Sequence, residues 1–360
     1  MVALHLRGVV LPDGEERELW THGERLTDWP VPGAAPLTGV GPTPYLLPGL
    51  VDAHCHIGLG PDGGVDRATS EQQALTDRAS GVLLVRDCGV PGDTRWIDAR
   101  DDLPRIVRCG RHIARARRYI RNYAVEVEPE DLVAEVERQV PAGDGWVKVV
   151  GDWIDRRLGD LAPLWPAEVV QAAVARAHEL GARVAVHVFA EESVADWVAA
   201  GVDCVEHGTG LTDEVIAQMA ARGTVLDPTL VQVENFPTFA DQGEPRFPAY
   251  AKHMRDLHRR RFETVGRCID AGVPVVAGSD AGGLRPHGTI ADEVALLARV
   301  GGPEVALGAA SWTARAWLGV PGRVEPGAPA DLVVLPSDPR LDPAVLARPA
   351  AVVLRGVRVA

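Results

Sequence analysis

Two histidines separated by one residue, His54-Cys55-His56, close an apolar run that begins Leu46-Leu47-Pro48-Gly49-Leu50-Val51-Asp52-Ala53. On a strand, residues i and i+2 share a face and stand about 6–7 Å apart, so the two imidazoles point the same way. Two imidazoles converging on one point are what a divalent metal takes as ligands. A core histidine followed by a loop histidine would leave the same pattern, so the pair alone does not decide. Cys55, between them, faces the opposite side, into packing. Four more polar residues stand late in apolar runs: Lys148 in Trp146-Val147-Lys148-Val149-Val150, His187 in Val184-Ala185-Val186-His187-Val188, His207 in Cys204-Val205-Glu206-His207 and Asp280 in Val275-Val276-Ala277-Gly278-Ser279-Asp280. Each alone has a structural reading: a snorkelling lysine, a satisfied core histidine, a helix-capping aspartate. Six such positions, all late in the same kind of apolar segment, are poorly explained as separate structural accidents.

The elements that must carry them are strands alternating with helices. After the opening strand, apolar runs recur at 81–87, 104–109, 146–150, 183–188, 203–207, 224–228 and 273–280, eight in all. Amphipathic stretches at 131–140, 167–180, 193–200 and 213–221 lie between them. Eight such alternations fit an α/β fold of the (β/α)8 TIM-barrel type better than an open doubly wound sheet, although periodicity alone does not show closure. In a barrel the carboxyl ends of the strands face one mouth, which would gather the six side chains. The longest connection, from Val231 to about Ala249, reads as a loop over that mouth. Short apolar pieces broken by Pro and Gly occupy both chain ends and predict a small β-sandwich domain from residues 1–46 and 320–360, with the barrel at 47–319.

Composition excludes several classes. A net charge of −13 is wrong for a nucleic-acid partner, and no apolar run reaches a membrane span. The beginning of the chain lacks the apolar core of a signal peptide, so a cytoplasmic location is expected. Five scattered cysteines without a Cys-x-x-Cys pair suit reduced thiols.

The segments Pro48–His56, Val85-Arg86-Asp87-Cys88-Gly89, Val205-Glu206-His207-Gly208-Thr209, Ala277-Gly278-Ser279-Asp280-Ala281-Gly282 and Gly322–Leu335 together resemble the metal-dependent amidohydrolase superfamily. Within it they are similar to the branch of imidazolonepropionase and the Xaa-Pro and Xaa-Arg dipeptidase-like enzymes. The resemblance implies that His54, His56 and Asp280 bind one metal and that His187 and His207 bind a second. Lys148 would bridge the two as a carbamate derived from carbon dioxide. Burial among cations disfavours an ammonium, which is the physical condition such a carbamate needs. Two zinc ions per chain are implied, with manganese, iron or cobalt fitting nearly as well. The implied reaction is hydrolysis of an amide-type C–N bond by metal-activated hydroxide, with Asp280 moving the proton.

An alternative stays open: a mononuclear deaminase or imidazolonepropionase-like cyclic amidohydrolase. Such members carry a glutamate three residues after the strand-five histidine. Here that position is Ala190, but a slip of one residue would bring Glu191 into the role. For the substrate, six arginines in Arg108–Arg121 suggest grip on a carboxylate, as in an N-acyl amino acid or dipeptide. Arg117, Arg118 and Tyr119 are the residues of that loop expected at the substrate. His287, in Leu284-Arg285-Pro286-His287-Gly288, could reach it or could only shape its loop. His5, His22, His112 and His178 show no partner pattern, and His253 and His258 read as surface residues of a helix. The partners expected are a small-molecule substrate and, where subunits associate, further copies of the chain.

Overall fold

The computed structural model of the chain describes residues 2–360. Pro12-Asp13-Gly14 turns the chain between the strands Leu4–Val10 and Glu15–His22, which pair antiparallel. The strand Tyr45–Pro48 lies parallel to the first of these and antiparallel to Leu332–Leu335. It therefore stitches the two chain ends into one eight-stranded sheet, which also holds Ala351–Leu354, Val357–Arg358, Arg25–Thr27 and Ala35–Pro36. Leu6, Leu19, Leu26, Leu46, Leu332 and Val353 form a buried core on this sheet.

After Gly49 the chain enters the strand Leu50–Cys55, every residue of which is buried. This strand pairs in parallel with Val82–Asp87, which pairs with Arg105–Arg108. A second parallel sheet runs Val125–Val127, Ile113–Arg115, Trp146–Val150, Arg183–Val188, Cys204–His207, Val225–Asp227. Continuous apolar runs of this kind are what strands buried on both faces require. The helices Arg67–Ala79, Leu132–Gln139, Ala167–Glu179, Glu191–Ala200 and Asp213–Arg222 alternate with the strands. Asp66 and Thr212 accept hydrogen bonds at the starts of the first and last of these, satisfying backbone donors that would otherwise be free.

The predicted strand over 273–280 is not continuous. Pro274 has no N–H to give, and Asp280 adopts φ 54°, so only isolated bridges at Val275 and Ala281 form. The segment still joins the two parallel sheets: Leu226 donates to the Pro274 carbonyl and Ala53 to the Ala277 carbonyl. The expected loop from Val231 to Ala249 is also corrected. It is largely helical, with Leu230–Val233 and Phe236–Gly243 leading into Pro248–Asp270. Phe236, Ala240, Ala251, Met254 and Leu257 bury a common apolar face there, and that packing outweighs the local Pro and Gly signals. No helix among the described residues is long and apolar enough to cross a membrane.

Candidate metal centre and active site

The parallel strands set a floor and a ring of polar groups above it. Leu84, Trp146, Ala185, Cys204 and Val225 belong to one buried apolar cluster. Two residues further along the same strands stand Arg86, Lys148, His187, Glu206 and Asp227, and period-two geometry puts them on the same face. His207 follows Glu206 by one residue and would face away from that side on a regular strand. Its φ of 67° turns it, as a φ of 54° turns Asp280. Left-handed conformations at residues other than glycine need support from their surroundings and cluster at functional sites.

Histidine and carboxylate donors face one another across short gaps. Asp280 Oδ1 lies 3.3 Å from His54 Nε2 and 3.2 Å from His56 Nε2, and its backbone N–H donates to the His54 carbonyl at 2.7 Å. His207 Nε2 and His187 Nδ1 are 2.9 Å apart. His56 Nδ1 is 3.0 Å from the Gly89 carbonyl, a pure acceptor, so Nδ1 carries a proton and Nε2 is the nitrogen that faces Asp280. His207 Nδ1 contacts the Thr229 hydroxyl at 2.6 Å, and because a hydroxyl either donates or accepts, the Nε2 contact with His187 Nδ1 can run in either direction. His54, His207 and Asp280 each offer an atom within 4.8 Å of the other two.

Burial keeps the rings of His54, His187 and His207 neutral. It lowers the pKa of His54 to about 4 and that of His207 to about 3, and it takes His187 well below the ordinary histidine value. Burial alone would raise the Asp280 pKa, but His54, His56 and His207 together hold it well below the carboxylate range. Neutral imidazoles beside an ionised carboxylate form the donor set that divalent metals take. Lys148 Nζ is buried with no hydrogen-bond partner, 3.9 Å from Glu206 Oε1. An orphaned amine at this position fits a group that is modified or that meets a further ligand.

A layer that the sequence reading missed holds these donors. Glu206 Oε2 lies 2.8 Å from His54 Nδ1, and its Oε1 pairs with Arg86 at 2.6 Å. Burial pulls the Glu206 carboxyl upward; Arg86, Lys148 and His54 more than reverse that and hold it well below the ordinary range. Asp227, 3.7 Å from Arg86, is pushed well above its ordinary value by burial and by the Glu206 charge. Asp52 receives hydrogen bonds from the Ser279 N–H at 2.9 Å and its hydroxyl at 2.5 Å, tying the first parallel strand to the segment that carries Asp280. The legible signal was the two-residue step from apolar floor to polar group, which singles out Arg86, Glu206 and Asp227 as well as Lys148 and His187.

A cavity of about 440 Å³ opens above this centre. His54, His56, Lys148, His187, Asp280 and Tyr119 line it, whereas His207 lies behind His187 and is not part of its surface. Tyr119 packs edge-on against Trp153, His112 and His187. The expectation for Arg117 and Arg118 meets a different geometry, since neither lines the cavity. Arg118 pairs with Asp155 at 3.1 Å, and the Arg117 N–H donates to Glu126. Arg108 is buried in a cluster with Thr94, Asp98 and Asp144. His287 is also off the cavity surface; it meets Asp77 at 2.8 Å and so ties its loop to the helix Arg67–Ala79. Glu191 engages His253 and Arg260 and does not line the cavity. His112, for which no partner was expected, lines it with Nδ1 on the Gly89 carbonyl and Nε2 buried and free. Burial and the neighbouring His56 lower its pKa to about 3.

The model of the amidohydrolase family matches residues 45–359, and the chain belongs to that family. A protein of Mycobacterium tuberculosis described as uncharacterized is 53% identical over 357 residues, covering 99% of this chain and 95% of that one. Among solved structures, a putative prolidase from Bifidobacterium longum is similar with a TM-score of 0.83 at 24% identity, covering 99% of this chain and 94% of that one. A Xaa-Pro dipeptidase with bound methionine in the active site is similar with a TM-score of 0.81 at 23% identity over 99% of each chain. At these identities the likeness to the two structures is one of fold.

Proposed function

We propose that the protein is a metal-dependent hydrolase of an amide-type C–N bond in a small, carboxylate-bearing molecule such as an N-acyl amino acid or dipeptide. The two parallel sheets and the 273–280 segment then act as one (β/α)8 barrel spanning 47–319, with the terminal sheet of 1–46 and 320–360 as a second domain. His54, His56 and Asp280 would hold one divalent metal, and His187 and His207 a second. Lys148 would bridge them as a carbamate. Divalent ions so held, zinc first among them, lower the pKa of a bound water and polarise a carbonyl.

The chain's own groups supply the rest. Asp280 Oδ receives the proton of the attacking water and passes it to the leaving nitrogen. His112 Nε2, neutral and unpartnered at the cavity wall, is available to accept an N–H of the substrate. Tyr119 and Trp153 wall the cavity beside His187. The observation that carries the reading is Lys148 Nζ, buried without a partner on the same inner face as His187. Engagement of Glu191 by His253 and Arg260 removes the acid that a deaminase-type reading would use.

Release of free amine from a panel of N-acyl amino acids and dipeptides, followed by o-phthalaldehyde, tests the reading. The wild type is expected to hydrolyse members of the panel, and Asp280→Asn to lose at least about a hundredfold in kcat. Turnover unaffected by Asp280→Asn would overturn it.

A further inference from the structure

Apart from the histidines, Lys148 and Asp280, the charged residues lining the cavity are two arginines, Arg156 and Arg285. Arg156 is exposed on the turn between the strands Asp152–Asp155 and Asp160–Pro163, at the rim. Arg285 is half-buried and more tightly held. Its N–H donates to the Gly282 carbonyl at 2.9 Å and the Gly282 N–H returns a bond at 3.0 Å, closing a tight turn five residues after Asp280. Gly282 has φ 105° and packs so closely that a Cβ there would sit 2.7 Å from the His56 carbonyl oxygen. The turn is thus pressed against the backbone of a histidine of the proposed metal centre, and Arg285 lines the same cavity as that centre.

That guanidinium lacks a counter-charge. Nη1 donates to the Val231 carbonyl at 2.9 Å, Nε is buried without a partner, and among the described residues no carboxylate lies within ion-pair distance. Glu293 is the nearby acid, but its two oxygens already accept the Leu230 and Val231 N–H groups at 2.9 and 2.8 Å. Burial also pushes its pKa up to about 8, which leaves it largely neutral at pH 7. An arginine is always charged, and a half-buried one without a partner carries a desolvation cost that an anionic ligand relieves. Its planar fork matches a carboxylate in bidentate fashion. Much of the remaining wall, including Leu59, Ile120, Ile154, Phe239 and Phe247, is apolar or aromatic.

We propose that Arg285 anchors the carboxylate of a substrate whose body is a bulky apolar or aromatic group; the proposal rests on the hydrolase reading and specifies which residue selects its substrate. None of the arginines of 108–121 lines the cavity, and they take no part in this selection.

Calorimetric binding of 4-phenylbutanoate and of 4-phenylbutan-1-ol to the metal-loaded protein tests this, because neither probe has a bond to hydrolyse. Wild type is expected to bind the acid at least about tenfold more tightly than the alcohol, which is about 1.4 kcal/mol. Arg285→Gln should abolish that ratio at unchanged alcohol affinity and unchanged metal content, and Arg156→Gln should preserve it. Equal affinities in the wild type, a ratio that survives Arg285→Gln, or a ratio lost only in Arg156→Gln would overturn the proposal. An Arg285-dependent ratio in a protein that cleaves no amide would sink the hydrolase reading and leave the anchor standing. Hydrolysis of carboxylate-bearing amides indifferent to Arg285 would do the reverse.

Discussion

Replacing Glu206 by glutamine removes one negative charge from a site where both it and Arg86 are fully buried, 2.6 Å apart. Breaking a buried pair from one side leaves an uncompensated charge and costs about 3–5 kcal/mol. Asp227, 3.7 Å from Arg86, is kept protonated in part by the Glu206 charge. Once that charge is gone Asp227 can ionise and partly replace it, so the loss should fall near about 3 kcal/mol. An unfolding entropy of about 2.1 cal/mol/K per residue, taken over the chain, converts this to a fall in Tm of about 4 °C. Differential scanning fluorimetry on metal-loaded protein at pH 7.5 reads it directly. The double variant Arg86→Met, Glu206→Gln should recover most of the loss, because no lone buried charge remains. Glu206 also lies 2.8 Å from His54 Nδ1, and partners of ligand histidines are worth about 10–100-fold in metal affinity. Titration with a competing chelator should therefore show Glu206→Gln binding metal more weakly even where it is folded. A single variant within 1 °C of the wild type, or a double variant no better than the single, would refute the reasoning ("1 °C" being roughly the resolution of such a scan).

Three further expectations follow from named contacts. A Cβ at Gly278 would sit 2.4 Å from His54 Cβ and 2.5 Å from Asp227 Oδ2, so Gly278→Ala should displace His54 and lower metal content and turnover together, as read by plasma mass spectrometry and initial rates. His253 has its pKa raised from 6.5 to about 9 through its contacts with Glu191 and Asp160. The stability it contributes is therefore full below pH 6.5 and lost as pH rises through about 9, so the Tm gap between wild type and His253→Gln should close between those values. Arg118 pairs with Asp155 and does not line the cavity, so Arg118→Gln should leave KM within about twofold of wild type and cost less than about 1 kcal/mol in denaturant unfolding.

The alternation of strands and helices was legible because buried parallel strands must be continuous apolar runs and their helices must be amphipathic. The helices expected at 131–140, 167–180, 193–200 and 213–221 all formed, with ends displaced by no more than two residues. The convergence of His54, His56, Lys148, His187, His207 and Asp280 was legible for a related reason: a polar group late in such a run has few structural uses. What escaped depended on neighbours remote in sequence. Glu206 faces Arg86, 120 residues away, and His112 packs against His56 and Tyr119. The helices near 230–243 were hidden by Pro237 and Gly243, since their apolar faces become visible only against Met254 and Leu257. The density of arginine in 108–121 pointed toward a substrate, but most of those side chains meet local acids and carbonyls. Arg285 stood alone in a Gly-Gly-Leu-Arg-Pro turn and gave no comparable signal.

Metal stoichiometry by plasma mass spectrometry, on wild type and Lys148→Ala purified without chelators in bicarbonate-containing buffer, tests the central claim most directly. Two divalent ions per wild-type chain, falling to one or fewer in Lys148→Ala, is the result expected of a carbamate-bridged pair. A single ion per chain that Lys148→Ala leaves undisturbed would contradict it.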